Sequence, residues 1–577
     1  MILGALAMIA ANGASVLGAR MLLARVAVGR QAVDFVLFLL LRLLLLSAVV
    51  LIAGTAGGLT PGVLGITGAA AIALLVALGA HRGLRRPDVE GWDRWVLVLG
   101  ALVTVRLLIQ VWFLAPYHDD VIAYHLPKIV EWVRSGGFTR ELGPDPRSTF
   151  PAGFELIETW WVVFLHHDVL IEMAGVEFLL LAGAGAYALA REMGWSVKSA
   201  AIAALFFVLT PGIHFQATSC FNDGPVAALV VATAALILAR VPAALILVPV
   251  GLGIGIKPTF AYALPGLAVI AWLCRREPRT AAPSSRTAWT ACIAALAIGA
   301  AWYLRNWAVY GNPVHPMGWN GMKNPTSGSM VQRMGPSFQA LQENLSGLLD
   351  VRIYDRIHAP NAPGAGNFNW GAAAFAIGMP ALVPLLRTEA PLRRLTIGLV
   401  LSMGCVFFLV EYDLWYTRFV LFLTVLPALA LARLWERHRI VAVLASAALV
   451  SGILGTCVPG AVPEESLRHM VSVPAAVRAA RPPPQRPAYG QTIGYLAVYH
   501  GSAYLLYGAD YSRRIVYLRE KTLDELLARL KADGLTLFYT PTGRFLEESM
   551  LEEGVRRGVL RSFKDGDWPG YEVVFAK

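Results

Sequence analysis

Apolar runs of about twenty residues, the length that crosses a bilayer core, follow one another along most of this chain. Short basic or Gly/Pro-containing connections separate them. The first four fall near 1–23, 33–56, 62–81 and 94–114. A polar stretch then runs from Ala115 to about His167. Further runs follow near 168–190, 198–214, 224–240, 242–256, 258–274 and 287–304. After a second polar stretch, about 305–370, runs return near 371–387, 395–411, 416–434 and 438–457. The pattern predicts fourteen transmembrane helices. The short pieces at 242–274 read equally as one hairpin or one long tilted helix.

From about Pro459 the pattern changes. Arg481-Pro-Pro-Pro-Gln-Arg-Pro487 is a stiff linker. Beyond it, Thr492–Tyr499 and Arg514–Leu518 read as strands, Thr522–Ala532 as a helix and Leu535–Tyr539 as a strand. A second helix is expected near Phe545 and a last strand at Tyr571–Phe575. These elements predict a small soluble α/β domain of roughly 90 residues.

Composition closes off the soluble alternatives. The 577 residues are 56% hydrophobic and only 15% charged, against about 25% charged in soluble domains. A net charge of +11 raises the question of nucleic acid, but no dense Lys/Arg run is present. Loop arginines facing anionic lipid explain the charge better. Arginines cluster at 82–86, 275–279, 387–394 and 433–439, and all four connections fall on one side of the fourteen-span arrangement. That side is expected to be cytoplasmic. Both long polar stretches and the C-terminal domain are then expected outside, in a cell (inner or plasma) membrane. Residues 1–23 lack the basic start of a signal peptide and read as a span. The five cysteines form no CxxC pair and predict neither a zinc site nor a disulfide framework.

The densest chemistry lies in Pro116-Tyr-His-Asp-Asp-Val-Ile-Ala-Tyr-His-Leu-Pro-Lys128, just after a span. On an ideal helix Asp120, Tyr124 and Lys128 share a face, although Pro127 interrupts it. A carboxylate there, Asp120 or its neighbour Asp119, can act as a general base or bind a metal. The plain reading is a solvated helix cap. Lys257 lies within an apolar stretch, where an unpaired cation is costly, so it is a functional candidate. Arg305 and Arg418 at outer span ends read either as headgroup anchors or as phosphate ligands, and Asp223 as a cap or a site residue. Glu155 joins the site only if its loop folds back. Arg42, inside the second run, has no partner that the sequence identifies. His118, His125, His166 and His167 are metal-capable, but histidines at an interface are more often merely polar. No cofactor is assigned, and a divalent ion stays an open alternative.

The stretch Asp120-Val-Ile-Ala-Tyr124-His-Leu-Pro, followed by Gly136-Gly-Phe, resembles the first outer loop of the C-type (GT-C) membrane glycosyltransferases, in particular the protein mannosyltransferase and aminoarabinose transferase group. Four further stretches are similar to that group and fall in its order. They are Phe221-Asn222-Asp223-Gly-Pro, Gly255-Ile-Lys257-Pro-Thr, Trp302-Tyr-Leu-Arg305-Asn306 with Tyr310-Gly-Asn-Pro313, and Tyr416-Thr-Arg418-Phe. The resemblance covers roughly residues 94–440. It implies a polytopic α-helical GT-C-like fold with juxtamembrane helices in an outer loop. It further implies an inverting sugar transfer from a polyprenyl-phosphate donor to an extracytoplasmic glycan, lipid or protein acceptor. Asp120 would be the base, with Asp119 beside it. Lys257, Arg305 and Arg418 would meet the donor phosphate. Tyr124, His125, Lys128, Glu155, Asn222, Asp223 and Tyr310 would line the substrate pocket.

Two departures stand out. The Lys-Pro-Pro of many members is replaced by Thr149-Phe-Pro-Ala-Gly, without the lysine. About four spans precede the expected base rather than one, three of them in a segment 1–93 set apart from the catalytic 94–457 and the C-terminal 458–577. The rival class is a transporter or flippase, for which buried charge and broken helices also speak. A ligase or polymerase of surface polysaccharide is a further alternative.

Overall fold

The computed structural model describes residues 2–80, 94–113, 115–116, 118, 120–140, 142–143, 145–277, 285–317, 336–350, 370–371, 374–411, 414–440, 442–443, 486–488, 490–496, 503–508, 510–540, 548–566 and 568–574. Helices α1 (Ile2–Val26), α2 (Gln31–Ala56), α3 (Pro61–Ala77) and α4 (Arg94–Phe113) come first. The first polar stretch carries α5 (Leu126–Ser135) and α6 (Gly153–Val163). Then follow α7 (Met173–Glu192), α8 (Val197–Val208), α9 (Pro211–Gln216), α10 (Asp223–Leu238), α11 (Ala243–Ile256), α12 (Leu264–Leu273) and α13 (Arg286–Tyr310). After α14 (Phe338–Gly347) come α15 (Met379–Thr388), α16 (Ala390–Leu409) and α17 (Val425–Arg437). Seven helices among the described residues are long and apolar enough to cross a membrane, and shorter apolar helices stand between them. Each predicted span coincides with one of these helices, except 438–457, which lies almost wholly outside the described residues. The chain is a polytopic α-helical membrane protein. At 242–274 the chain forms two short helices, broken by the extended backbone of Lys257 and a 3-10 turn, Pro258–Ala263, and not one long helix.

Inside a bilayer, helices gain little by hiding oily side chains from oily surroundings, so close backbone packing takes over. The α11–α13 pair does this with glycine. A methyl carbon on Gly299 would sit 2.2 Å from the Gly251 carbonyl oxygen, and one on Gly255 2.8 Å from Gly299 Cα. Gly153, which opens α6, abuts Gly255 equally closely, at 2.7 Å. These contacts bring the Lys257 end of α11 against the first polar stretch.

The N-terminal helices brace that stretch. Arg42 of α2 pairs with Glu177 of α7 and donates to Asn12 of α1 at 2.8 Å. The partner that the sequence withheld is therefore 135 residues away. The turn after α2 grips the end of α5: Gly54 O accepts from Phe138 N at 2.9 Å, and Leu59 N donates to Gly136 O at 2.8 Å.

The C-terminal domain is a five-stranded sheet of order β2-β1-β3-β5-β4. Its strands are β1 (Thr492–Leu496), β2 (Arg514–Leu518), β3 (Leu537–Tyr539), β4 (Leu560–Asp565) and β5 (Trp568–Val573). The first three are parallel, and β5 and β4 add antiparallel. Helices α18 (Leu523–Ala532) and α19 (Glu548–Arg556) cover one face. Thr522 caps α18 through the Glu525 amide. The sequence missed β4: an edge strand with one face in water carries no clear apolar alternation. Period-two alternation assigns the two faces. Leu496, Leu518 and Phe538 point to the helices, while Ile493, Tyr495, Ile515, Leu537 and Tyr539 join the core of the helical bundle.

Candidate active site

The segment after α4 begins with a π turn, Val121–His125, and continues as α5. Pro127 explains the wide turn. It has no amide hydrogen and its ring crowds the carbonyl four residues back, so Leu126 N reaches instead to Val121 O. The expected stack of Asp120, Tyr124 and Lys128 therefore splits in two. Asp120 and Tyr124 meet around an arginine, while Lys128 turns to a different partner.

That arginine is Arg147. Its Nη1 donates to Asp120 Oδ1 at 2.9 Å, and its guanidinium lies 4.5 Å from the Tyr124 ring centre. Asp145 holds the same guanidinium from the other side, through Nε at 3.1 Å and Nη2 at 2.7 Å. The Asp145 carboxylate also accepts from the Arg147 amide at 2.8 Å, which forms the short turn Pro146–Thr149. The turn is tied to α13 in its turn. Thr149 O accepts from Trp302 Nε1 at 3.0 Å and from Asn306 Nδ2 at 2.8 Å. The Trp-x-x-Arg-Asn stretch thus clamps the loop that aims Arg147. The side chain of Asp120 is 21% exposed, whereas those of Asp145, Asp223 and Glu155 are each 1% exposed. Among the described carboxylates of this cluster, Asp120 is the one that reaches solvent.

Two cations meet beside it. Asp223, at the start of α10, pairs with Lys257 and, through Oδ2 at 3.2 Å, with Arg418 Nε. The Lys257 ammonium lies 4.6 Å from the Phe419 ring centre, and the Arg418 guanidinium 5.3 Å from that of Phe221. Phe221 links the two halves, since the His118 ring sits 5.2 Å from it. His118 is packed against Phe215 as well, at 5.1 Å. Burial pushes its pKa from the usual 6.5 to about 4; the charge of Asp120 opposes the fall and that of Arg418 adds to it. The imidazole is neutral at physiological pH.

Beneath α5 lies a second, fully buried group. Glu155 of α6 accepts from Lys128 at 2.5 Å and approaches His125 Nδ1 at 2.8 Å. Burial would raise its pKa, but the Lys128 and His125 charges hold it well below the usual range, at about 2. One turn on, burial and the neighbouring Glu155 charge push Glu158 well above that range. The loop does fold back, and His125, Lys128 and Glu155 are brought together as an internal tie between α5 and α6.

Other expected residues stand elsewhere. Arg305 donates to Arg140 O at 2.7 Å and to Asn306 Oδ1 at 3.1 Å, beneath Trp302. No described contact joins it to Lys257 or Arg418, which meet on Asp223. The α13 helix ends one turn later, and its polar end is spent on the loop clamp. Tyr310 stacks on His315 at 4.1 Å in the same clamp. Asn222 precedes α10 without a capping bond; Gln216 accepts the Gly224 amide instead. Asp119 lies outside the described residues. Among the described residues no three His, Cys, Asp or Glu side chains converge as a metal site would need. Sequence reasoning missed Arg147 and Asp145. Asp145-Pro-Arg147 signals a turn, but nothing in it points to a partner 27 residues earlier.

No family model and no curated protein matches the chain. Among solved structures, it is similar to the crystal structure of ArnT from Cupriavidus metallidurans bound to undecaprenyl phosphate. The identity is 12% and the TM-score 0.46, over 84% of this chain and 98% of that one.

Proposed function

We propose that the protein transfers a sugar from a polyprenyl-phosphate donor to an acceptor hydroxyl at the extracytoplasmic face of a cell membrane, with inversion. The observation that carries this reading is a solvent-reaching carboxylate, Asp120, held by Arg147 and within electrostatic reach of a cation pair, Lys257 and Arg418, that meets on Asp223. The order of the motif-like stretches in the sequence supports it independently. Asp120 takes the proton of the attacking hydroxyl. Arg147 fixes the direction of that carboxylate. Lys257 and Arg418 hold the phosphate and stabilise the charge it gains as the glycosidic bond breaks. The donor's hydrocarbon tail stays in lipid, which suits a site at the ends of apolar helices. Arg305 and Tyr310 support the loop rather than the phosphate.

The test is to incubate the purified protein with a panel of polyprenyl-phosphate hexoses and pentoses and to follow donor consumption. Sugar-dependent release of polyprenyl phosphate is the expected result. Donor that crosses a vesicle membrane unchanged, with no release from any panel member, would favour the flippase reading.

A further inference from the structure

The helix that carries Asp120 at its start is held from a side that the chemistry above does not use. Its lower surface is tied to α6 through Lys128 and Glu155. Its other flank is covered by the C-terminal domain. The short helical turn Ala503–Tyr507, between β1 and β2, packs on both the π turn and α5. Ala503, Tyr504, Leu506, Tyr507 and Tyr511 are all buried there and belong to the same continuous core as the transmembrane helices. A tethered, independently moving domain would present a polar face at this place. Here the second face of β1, β2 and β3 buries Ile493, Tyr495, Ile515, Leu537 and Tyr539 in that core.

Polar contacts fix the register of this dock. Tyr504 donates its hydroxyl to Asp168 Oδ2 at 2.6 Å, just before α7. The Tyr507 hydroxyl is 2.9 Å from that of Tyr517 and faces the Glu131 carboxylate on α5. Arg519 donates to Gly143 O at 2.9 Å, on the approach to the Asp145–Arg147 turn. Each of the pieces that aims Asp120 is therefore touched: the π turn, α5, and the strand of loop leading to Arg147. Tyrosine suits this duty, because its ring supplies rigid apolar area while its hydroxyl satisfies a buried carboxylate.

We propose that the C-terminal domain is a fixed part of the reaction site, in which Tyr504 and Tyr507 are positioning residues that hold the Asp120 turn and the Arg147 loop in register. The inference rests on the reading of Asp120 as the base. Tyr504 and Tyr507 touch neither donor nor acceptor. Tyr507 acts through α5, and Tyr504 through its bond to Asp168, which seats the turn Ala503–Tyr507 on α5 and the π turn.

The experiment uses the full-length protein in detergent and two readouts. The first is amide hydrogen exchange over residues 118–135, which needs no assumption about the reaction. Tyr507→Ala should raise exchange there by about tenfold or more, while α10 and α13 stay protected; Tyr507→Phe, which keeps the ring, should restore most of the protection. Unchanged exchange over 118–135 in both Tyr504→Ala and Tyr507→Ala would overturn the proposal. The second readout is sugar transfer. Misalignment of about 1 Å can cost about 100-fold in rate, so kcat should fall by about 10- to 100-fold in Tyr507→Ala, with the donor KM within about twofold. An unchanged kcat in an active enzyme would overturn the positioning role and leave the transferase reading intact. Raised exchange in Tyr507→Ala, together with a wild-type protein that transfers no sugar, would reject the transferase reading instead. Tyr504→Phe, which loses only the bond to Asp168, serves where an alanine variant fails to fold.

Discussion

What fixes Asp120 is an arginine 27 residues further along the chain. Its neighbours in sequence place it near the membrane surface, and the resemblance, with an Asp four residues before a Tyr, singles it out from Asp119. The direction of its carboxylate comes from Arg147, and Arg147 is held by Asp145. Spacing rules describe a helix face and cannot see a loop that returns, which is why the acid was legible and its orienting partner was not. Lys257 was legible for the opposite reason. A lysine in an apolar run must find an anion, and Asp223 is that anion. His118 supplies a pH test. Its folded-state pKa lies below its unfolded one, about 4 against 6.5. Above pH 6.5 both states are neutral and the full stability is present. As pH falls from 6.5 towards 4, the unfolded chain takes up a proton that the folded chain refuses, so stability drops, by about 3 kcal/mol at most. Thermal unfolding between pH 7 and 4 should show this loss, and His118→Gln should flatten it. An equal slope in both proteins would mean that another group carries the acid sensitivity.

At the scale of elements, the apolar pattern placed the helices well, because in lipid each span must close its own backbone hydrogen bonds. It failed where the element is not a regular helix or strand facing a uniform medium. The π turn before Pro127 broke the expected stack, and β4, a half-wet edge strand, was missed. Close helix contacts were also silent in the pattern, since Gly251, Gly255 and Gly299 register only as breaks in hydrophobicity. Their role is geometric. Gly299→Leu would push α13 off α11 and move the end that bears Lys257. Overpacking of this kind typically costs about 1–3 kcal/mol. Thermal unfolding in detergent should show that loss, together with weaker donor binding. Wild-type stability in Gly299→Leu would mean that the two helices do not approach as described.

Across the whole molecule, the two ends of the bundle differ in what their charges do. One end gathers Asp120, Arg147, Asp223, Lys257 and Arg418 and carries the C-terminal domain. The other holds Arg30 with Glu192, Arg394 with Glu277, and Arg433 and Arg437 with Glu389, ordinary bridges between neighbouring helix ends. From the arginine clusters in the connections we propose that this second end is the cytoplasmic one. Ala528→Cys, on an exposed position of α18, should then react with an impermeant thiol reagent on intact cells; labelling only after lysis would reverse the orientation.

The proposed base offers the sharpest test. Asp120→Asn keeps the shape of the side chain and removes its capacity to accept the proton. Losing a positioned base typically costs about 100- to 10,000-fold in rate. Transfer by wild type and Asp120→Asn should be followed side by side with the donor that the panel identifies, and donor binding measured on the same preparations. Transfer should collapse within that range while the variant folds and binds donor as wild type does. A variant that keeps more than about a tenth of the wild-type rate would contradict Asp120 as the base, because so small a loss lies below what a general base supplies.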